Sequence, residues 1–214
     1  MAKKILVVLI GLWCALPVAA QEVTRQQSLW GRLYLQGKIS PKWSWHWELD
    51  ERLLVPAEQL QFISHAHLHR KLGPQTELSL GASYSTVSGT PEPRLFQELH
   101  WGIPVGKRWK LAQRYRTEQR FFHPAAGEWD IRLRARYRIQ ATFQASRHFS
   151  VKASDELLWQ NTGFDQNRIY GAAEYRFSPV FALEMGYLNL YQRRKVGQYY
   201  NPHILRVTNY ITFP

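Results

Sequence analysis

Charged and apolar side chains alternate through the stretch from Lys110 to Ile139. Charged residues occupy the even positions of two segments separated by a break at His123–Gly127, and apolar residues fill most odd positions of the second segment. Successive side chains of a β-strand point to opposite faces, so a period of two predicts two strands joined as a hairpin. The charged positions are Arg114, Arg116, Glu118, Arg120, Arg132, Arg134, Arg136 and Arg138.

The same alternation recurs along the rest of the chain in about eleven segments. The clearest runs from Trp43 to Asp50, where Trp43, Trp45 and Trp47 alternate with polar residues. No segment with a helical period competes after the first twenty residues. We therefore predict an all-β protein, an antiparallel up-and-down β-barrel of 10–12 strands.

Two orientations of such a barrel are open. A soluble, lipocalin-like barrel would bury the tryptophans and expose the arginines, and a membrane barrel would do the reverse. Three exposed tryptophans in a row are unusual on a soluble protein, and each unpaired guanidinium in a dry core costs several kcal/mol. The pattern favours a transmembrane barrel with a polar, arginine-rich lumen, and the lipocalin-like binding barrel remains the alternative.

The predicted connections alternate in length. Short turns are predicted at 40–42, 71–74, 104–107, 143–147 and 178–179, and longer loops at 53–59, 88–93, 122–128, 161–166 and 193–202. This asymmetry is typical of outer-membrane barrels, which carry even strand numbers, so we expect ten or twelve strands. Two predicted aromatic girdles comprise Trp43, Trp109, Phe143, Phe149, Phe177, Phe181 and Phe213 beside the short turns, and Tyr84, Phe122, Trp129, Trp159 and Tyr191 near the longer loops.

Like charges face each other in the predicted central hairpin. Its expected pairs are Arg114–Arg138, Arg116–Arg136, Glu118–Arg134 and Arg120–Arg132. Directly opposed like charges destabilise a sheet, so acids on neighbouring strands must compensate them. We expect Glu98 near Arg114, Arg94 near Glu118 and Glu156 near Arg134, with Arg168 and Glu174 facing the same interior.

The first twenty residues have the pattern of a secretory signal peptide. Lys3 and Lys4 precede an apolar segment that ends at the small residues Val18-Ala19-Ala20. The apolar segment is shorter than a spanning helix requires. We predict cleavage near Ala20, which leaves residues 21–214 as a single barrel domain and removes Cys14, the sole cysteine.

The balance of charges is strongly basic. Cleavage would lower the formal net charge of +12 by two, and export makes nucleic acid an unexpected partner. Anionic groups remain the natural partners of a basic surface or lumen. We expect outer-membrane lipids and lipopolysaccharide, small anionic solutes, and the barrel-assembly machinery during biogenesis.

Two constellations of side chains carry candidate chemistry. His65, His67 and His69 alternate on one strand face and could chelate a divalent metal, but no fourth ligand is evident. Across the next predicted hairpin, Ser79, Ser83 and Ser85 could form a lipid hydrolase site with these histidines, although no local signature marks a nucleophile. We expect no metal, no cofactor and no enzymatic activity, and a structural barrel or a narrow channel for small anions.

Four stretches carry a family resemblance: Arg114–Phe121, Arg132–Tyr137, Phe164–Tyr170 and Gly186–Tyr187. On these the chain resembles the bacterial family known as domain of unknown function 2490, predicted outer-membrane β-barrels. The resemblance covers essentially the whole chain after the signal segment. It implies a barrel fold and a location in the outer membrane, and it implies no activity, cofactor or catalytic residue.

Overall fold

The computed structural model describes the chain after the predicted signal peptide, with five gaps. The described residues are 22–55, 58–87, 90–123, 127, 129–195 and 198–214, so the predicted signal peptide and its cleavage site lie outside them. Their secondary structure is β throughout, and they contain no helix long and apolar enough to cross a lipid bilayer. The strands are β1 (Glu22–Lys38), β2 (Trp43–Leu54), β3 (Glu58–Lys71), β4 (Thr76–Val87), β5 (Thr90–Val105), β6 (Trp109–Phe122), β7 (Asp130–Gln144), β8 (Phe149–Gln160), β9 (Gly163–Arg176), β10 (Phe181–Lys195) and β11 (Gln198–Thr212).

The described strands form one closed β-barrel. Each strand pairs antiparallel with the next in the chain, and β1 pairs with β11 in parallel. Eleven strands that alternate in direction leave the first and last pointing the same way, which forces this parallel closure. The barrel fold is confirmed, but the expectation of an even strand number is wrong. The first predicted segment, Gln27–Ile39, is a full strand that begins earlier, at Glu22.

The barrel has two ends, which we call the N-terminal end, where β1 begins, and the C-terminal end, where β11 ends. The predicted short turns lie at the C-terminal end, as residues 39–42, 72–75, 106–108, 145–148 and 177–180. Most of the predicted longer loops at the N-terminal end are wrong, because the strands continue into them. Pro91 and Pro93, for example, pair with Thr86 and Tyr84 of the neighbouring strand. Only the β6–β7 connection, between Phe122 and Asp130, remains long.

The orientation of the side chains is the predicted one. Trp43 and Trp47 lie on the outer surface with 37% and 43% of their area exposed, whereas Arg116 and Arg134 are 4% and 6% exposed on the inside. Apolar side chains thus point outward along every wall of the barrel. The inverted parity of a soluble lipocalin-like barrel is excluded.

The outer surface carries a few polar residues that satisfy one another. Thr117 donates a hydrogen bond to the side-chain oxygen of Gln97 over 2.9 Å, and the Gln119 amide donates to the same oxygen over 3.2 Å. Such mutual pairing lowers the cost of removing polar groups from water. Phe122 does not belong to the outer girdle as predicted, because its even position places it with the arginines, and the Arg132 guanidinium lies 4.5 Å from its ring centre.

The interior is not uniformly polar. A buried apolar cluster fills one wall toward the N-terminal end, on strands β1, β9, β10 and β11. Its members are Trp30, Tyr170, Leu188, Leu190, Tyr200 and Ile204. Most members of this cluster also line the main cavity of the lumen, so one wall of that cavity is partly apolar.

Candidate functional site

The β6–β7 hairpin presents its charged positions to the interior. Its register pairs Arg114 with Arg138, Arg116 with Arg136, Glu118 with Arg134, and Arg120 with Arg132. These four consecutive cross-strand pairs face the interior and carry seven guanidinium groups and one carboxylate. Only the pair of Glu118 and Arg134 joins opposite charges. The charge of this wall must be balanced by side chains that reach across the lumen or by anions in it.

Glu118 is the central acceptor of the hairpin. Its side chain is fully buried and accepts hydrogen bonds from Arg134 Nε over 2.7 Å and Arg136 Nη1 over 2.9 Å. Arg116 Nε lies 2.7 Å from the same carboxylate as an ion-pair partner. Charge-assisted hydrogen bonds, in which donor and acceptor are ionised, are about twice as strong as hydrogen bonds between neutral groups. One carboxylate thus stabilises three like charges that would otherwise repel one another.

Glu156 on β8 joins a second group of arginines. Its oxygens lie 2.5 Å from Arg114 Nη2, 2.8 Å from Arg136 Nη2 and 3.5 Å from Arg168 Nη1. The expected partner, Arg134, is wrong: Glu156 stands opposite Arg138 in the ladder. The turn at 145–148 is centred about two residues beyond Ala145, and such a shift displaces the register by about four residues.

The register between β5 and β6 also differs from the predicted one, again because the turn is centred further along the chain. Glu98 pairs with Arg116 and Arg94 with Arg120, because the connecting turn occupies 106–108 and is centred one residue beyond Gly106. Glu98 nevertheless reaches Arg114, with Arg114 Nη1 3.2 Å from its Oε1. Arg94 does not meet Glu118 as expected. It shares Glu92 with Arg120, at 2.6 and 2.5 Å.

Arg132 and Glu174, two predicted interior residues, lie toward opposite ends of the barrel. Arg132 pairs with Asp130 over 2.7 Å near the N-terminal end, and both side chains are about half exposed, so the last rung of the hairpin is not enclosed. Glu174 on β9 accepts from Lys152 Nζ over 3.0 Å toward the C-terminal end.

A second buried carboxylate, Glu184 on β10, organises groups that the sequence patterns did not single out. Lys152 Nζ lies 2.5 Å and Arg206 Nη2 3.1 Å from its oxygens. The hydroxyls of Tyr170 and Tyr210 also donate to it, over 2.5 and 3.1 Å. These cations are isolated along their strands, so their inward parity was the only signal that could have found them.

The lumen encloses a cavity of about 900 Å³ that reaches toward the N-terminal end. Thirteen arginines and Lys152 line it, against seven carboxylates, so its wall carries a surplus of positive charge. Arg138 is one of the lining residues and has no carboxylate within ion-pair distance among the described residues. Arg116 Nη2 and Arg114 Nε are buried donors that lack a hydrogen-bond acceptor in the same part of the chain.

A smaller cavity of about 330 Å³ lies at the C-terminal end, beside Ser178–Phe181. Tyr34, Lys152 and Tyr210 line both cavities, so they stand between them. The two tyrosine rings lie 5.2 Å apart, and Lys152 Nζ lies 5.6 Å from the centre of the Tyr210 ring. These three side chains lie between the two cavities, and we call them the constriction.

The three histidines of β3 face the interior and are buried, but they do not form one site. His67 and His69 have ring nitrogens close to those of His46 on β2, whereas His65 groups with Glu48 and Asp50. Sequence reasoning missed His46 because it stands alone among tryptophans on its strand.

The candidate hydrolase residues lie on the same inner wall. Ser83 stands opposite His65 and Ser79 opposite His69, and Ser79 and Ser83 are buried without a hydrogen-bond partner among the described residues. Ser85 accepts from Arg94 over 3.1 Å. A serine that attacks lipid from the membrane would have to face outward, so this geometry does not support a hydrolase.

These observations define a closed β-barrel with an apolar outer surface and a charged, partly hollow lumen. A family model described as "Protein of unknown function (DUF2490)" matches residues 27–201, and the chain belongs to this family. The solved structure of the NanC porin in a rhombohedral crystal form has a similar fold, with a TM-score of 0.53 and 14% sequence identity, covering 76% of this chain and 80% of that one. No curated protein matches the chain.

Proposed function

We propose that this chain spans the outer membrane of a bacterial envelope and that its lumen is a narrow conduit for small anionic solutes. The observation that carries the proposal is the cavity of about 900 Å³ with its surplus of arginine. Rings of basic side chains favour anions in pores. Guanidinium groups are suited to this because they keep their charge under all physiological conditions and bind oxyanions through two parallel hydrogen bonds.

The outer surface supports the membrane part of the proposal. Leu80, Leu133 and Met185, on three different strands, are each about half exposed. A continuous apolar belt of this kind would promote aggregation in water and is stable against acyl chains. Exposed Trp109 near the C-terminal end and Trp129 near the N-terminal end suit the two head-group regions, which tryptophan prefers.

Membrane insertion predicts a specific behaviour in cell fractionation. We expect the protein to stay in the outer-membrane fraction through alkaline carbonate and high salt and to be released by detergent alone, because its apolar belt has no other solvent. Immunoblotting of the fractions measures this. Release by carbonate or salt would contradict membrane insertion and the conduit with it.

Arg138 provides the test of anion preference. We expect Arg138→Gln to lower the chloride-to-potassium permeability ratio by about fivefold, since one unpaired charge at contact distance from a hydrated ion contributes about 1 kcal/mol. The reversal potential in planar bilayers under a salt gradient measures the ratio.

The matched control is Arg147→Gln, which removes the same charge from the exposed turn at 145–148. We expect it to leave the ratio unchanged. An equal shift in both variants would attribute the selectivity to net charge, and a cation-selective wild-type protein would overturn the proposal.

A structural barrel with a closed lumen is the second candidate function. The constriction favours it, because Tyr34, Lys152 and Tyr210 separate the two cavities. In that case the wild-type protein carries no current in bilayers while it still fractionates with the outer membrane. The two measurements together therefore separate the membrane part of the proposal from the conduit.

A further inference from the structure

A cluster of three buried histidines lies on strands β2 and β3, toward the C-terminal end of the barrel. His46, His67 and His69 are 5–7% exposed, and each offers a ring nitrogen within 4.8 Å of those offered by the other two. The His46 ring stacks on His67 with 3.7 Å between ring centres and lies 4.6 Å from His69. Neutral imidazole is the most common protein ligand of transition metals.

Each of these histidines has its other ring nitrogen beside a carboxylate. The distances are 3.1 Å from His46 Nε2 to Glu48, 2.7 Å from His69 Nδ1 to Glu77, and 3.5 Å from His67 Nδ1 to Glu98. These are ion-pair distances without hydrogen-bond geometry, since His46 Nε2, His67 Nδ1 and His69 Nδ1 have no hydrogen-bond partner among the described residues. A carboxylate beside an imidazole nitrogen favours the tautomer that carries the proton on that nitrogen and the lone pair on the opposite one. The second ring nitrogen of a metal-binding histidine almost always faces a carboxylate, a backbone carbonyl or a water molecule, which fixes the tautomer and the ring orientation.

The remaining nitrogens create a local conflict that a cation would resolve. His46 Nδ1 and His69 Nε2 are 2.6 Å apart. In the tautomers that place both protons on the nitrogens facing the carboxylates, these two nitrogens meet as two acceptors, which repel each other unless a proton or a metal ion lies between them. His67 Nε2 is buried and has no hydrogen-bond partner among the described residues, which is unfavourable for a polar atom removed from water.

We propose that His46, His67 and His69 bind one divalent transition metal ion of the zinc, nickel or copper class. Imidazole ligands suit these ions. Tetrahedral zinc at about 2.0–2.1 Å from each nitrogen needs about 3.3 Å between ligand atoms, so the His46–His69 contact opens by about 0.7 Å. His46 and His69 line the main cavity, which gives the ion a path of entry and a water molecule for the fourth position.

Zinc titration of the untagged, folded full barrel in detergent micelles tests the site. Isothermal titration calorimetry with Zn²⁺ is expected to show one ion per chain and thermal unfolding to shift upward, since a ligand of the folded state stabilises it. His69→Gln is expected to abolish this binding. Glu77→Gln, at a half-buried side chain whose loss should spare folding, is expected to weaken it by about 10–100-fold by releasing the His69 ring.

His148→Gln is the matched control, because His148 is exposed in the turn at 145–148, and it is expected to leave zinc affinity unchanged. Absence of binding by the wild-type barrel, or unchanged affinity in Glu77→Gln and His46→Gln, would overturn the proposal and leave a proton-sharing histidine network. Loss of binding in His100→Gln with retention in His46→Gln would also overturn it, by assigning the ion to the neighbouring group His69, Glu77 and His100. None of these measurements depends on ionic current, so the site stands or falls separately from the conduit.

Discussion

Replacement of Glu118 by glutamine is expected to destabilise the barrel by about 3–5 kcal/mol or to prevent its folding. Glu118 is 1% exposed and holds Arg116, Arg134 and Arg136. Removal of one partner from a buried ionic group leaves uncompensated charge in a poorly solvated place, which is the costly case. Glutamine preserves the shape of the side chain, so the loss of stability measures the contribution of the negative charge of Glu118. Urea unfolding of the chain in lipid vesicles measures it as a change in midpoint at constant slope.

The hairpin supplies its own control in the pair Arg132–Asp130. Both side chains are about half exposed, and such pairs contribute about 0–1 kcal/mol. Asp130→Asn, like Glu118→Gln, removes one carboxylate that pairs with arginine in this hairpin. Because this pair is exposed to solvent, Asp130→Asn is expected to change the free energy of unfolding very little. Equal losses in the two variants would show that solvent screens Glu118 as well, and the buried network would then contribute little to stability.

The fold could be predicted because period-two patterning is a local property. The charged even positions and apolar odd positions determine which face of β6 and β7 points into the barrel and which points outward. The connection between Phe122 and Asp130 is also nearly symmetric about the predicted break, so the register of the hairpin follows. The predicted pairing of Arg116 with Arg136 follows from these two facts alone. The outward position of Trp43 and Trp47 follows from the same parity.

Registers beyond that hairpin could not be predicted with the same accuracy. The turn at 145–148 contains no glycine or proline to mark its centre, and a shift of two residues moved Glu156 from Arg134 to Arg138. Side-chain parity survives such a shift, because an even displacement keeps every residue on its face. Hence the interior location of Glu156 was right and its partner was wrong.

Closure was the part that local patterns could not reveal. The contact between β1 and β11 joins residues such as Gln36 and Thr212, whose side chains hydrogen-bond over 3.0 Å despite their separation in sequence. The parallel direction of this contact follows from the odd number of strands, which no local pattern fixes. The constriction depends on this contact too, since Tyr34 of β1 lies beside Tyr210 of β11.

The constriction makes the last and most direct prediction about the lumen. Tyr210→Ala is expected to raise single-channel conductance several-fold, because the lost ring separates cavities of about 900 and 330 Å³. Glu184 keeps Lys152 and Arg206 when the Tyr210 hydroxyl is lost, so the surrounding ion pairs should survive. Single-channel recording in planar bilayers measures the change.

Tyr175→Ala provides the comparison, because Tyr175 lies on the outer surface with 47% of its area exposed. This substitution removes the same side-chain volume as Tyr210→Ala, but away from the lumen. Conductance in that variant is expected to match the wild type. If Tyr210→Ala conducts while the wild type does not, the native protein is a barrel closed at the constriction. If neither conducts, the buried arginine network itself seals the lumen, and the surplus of positive charge then serves to bind anions rather than to pass them.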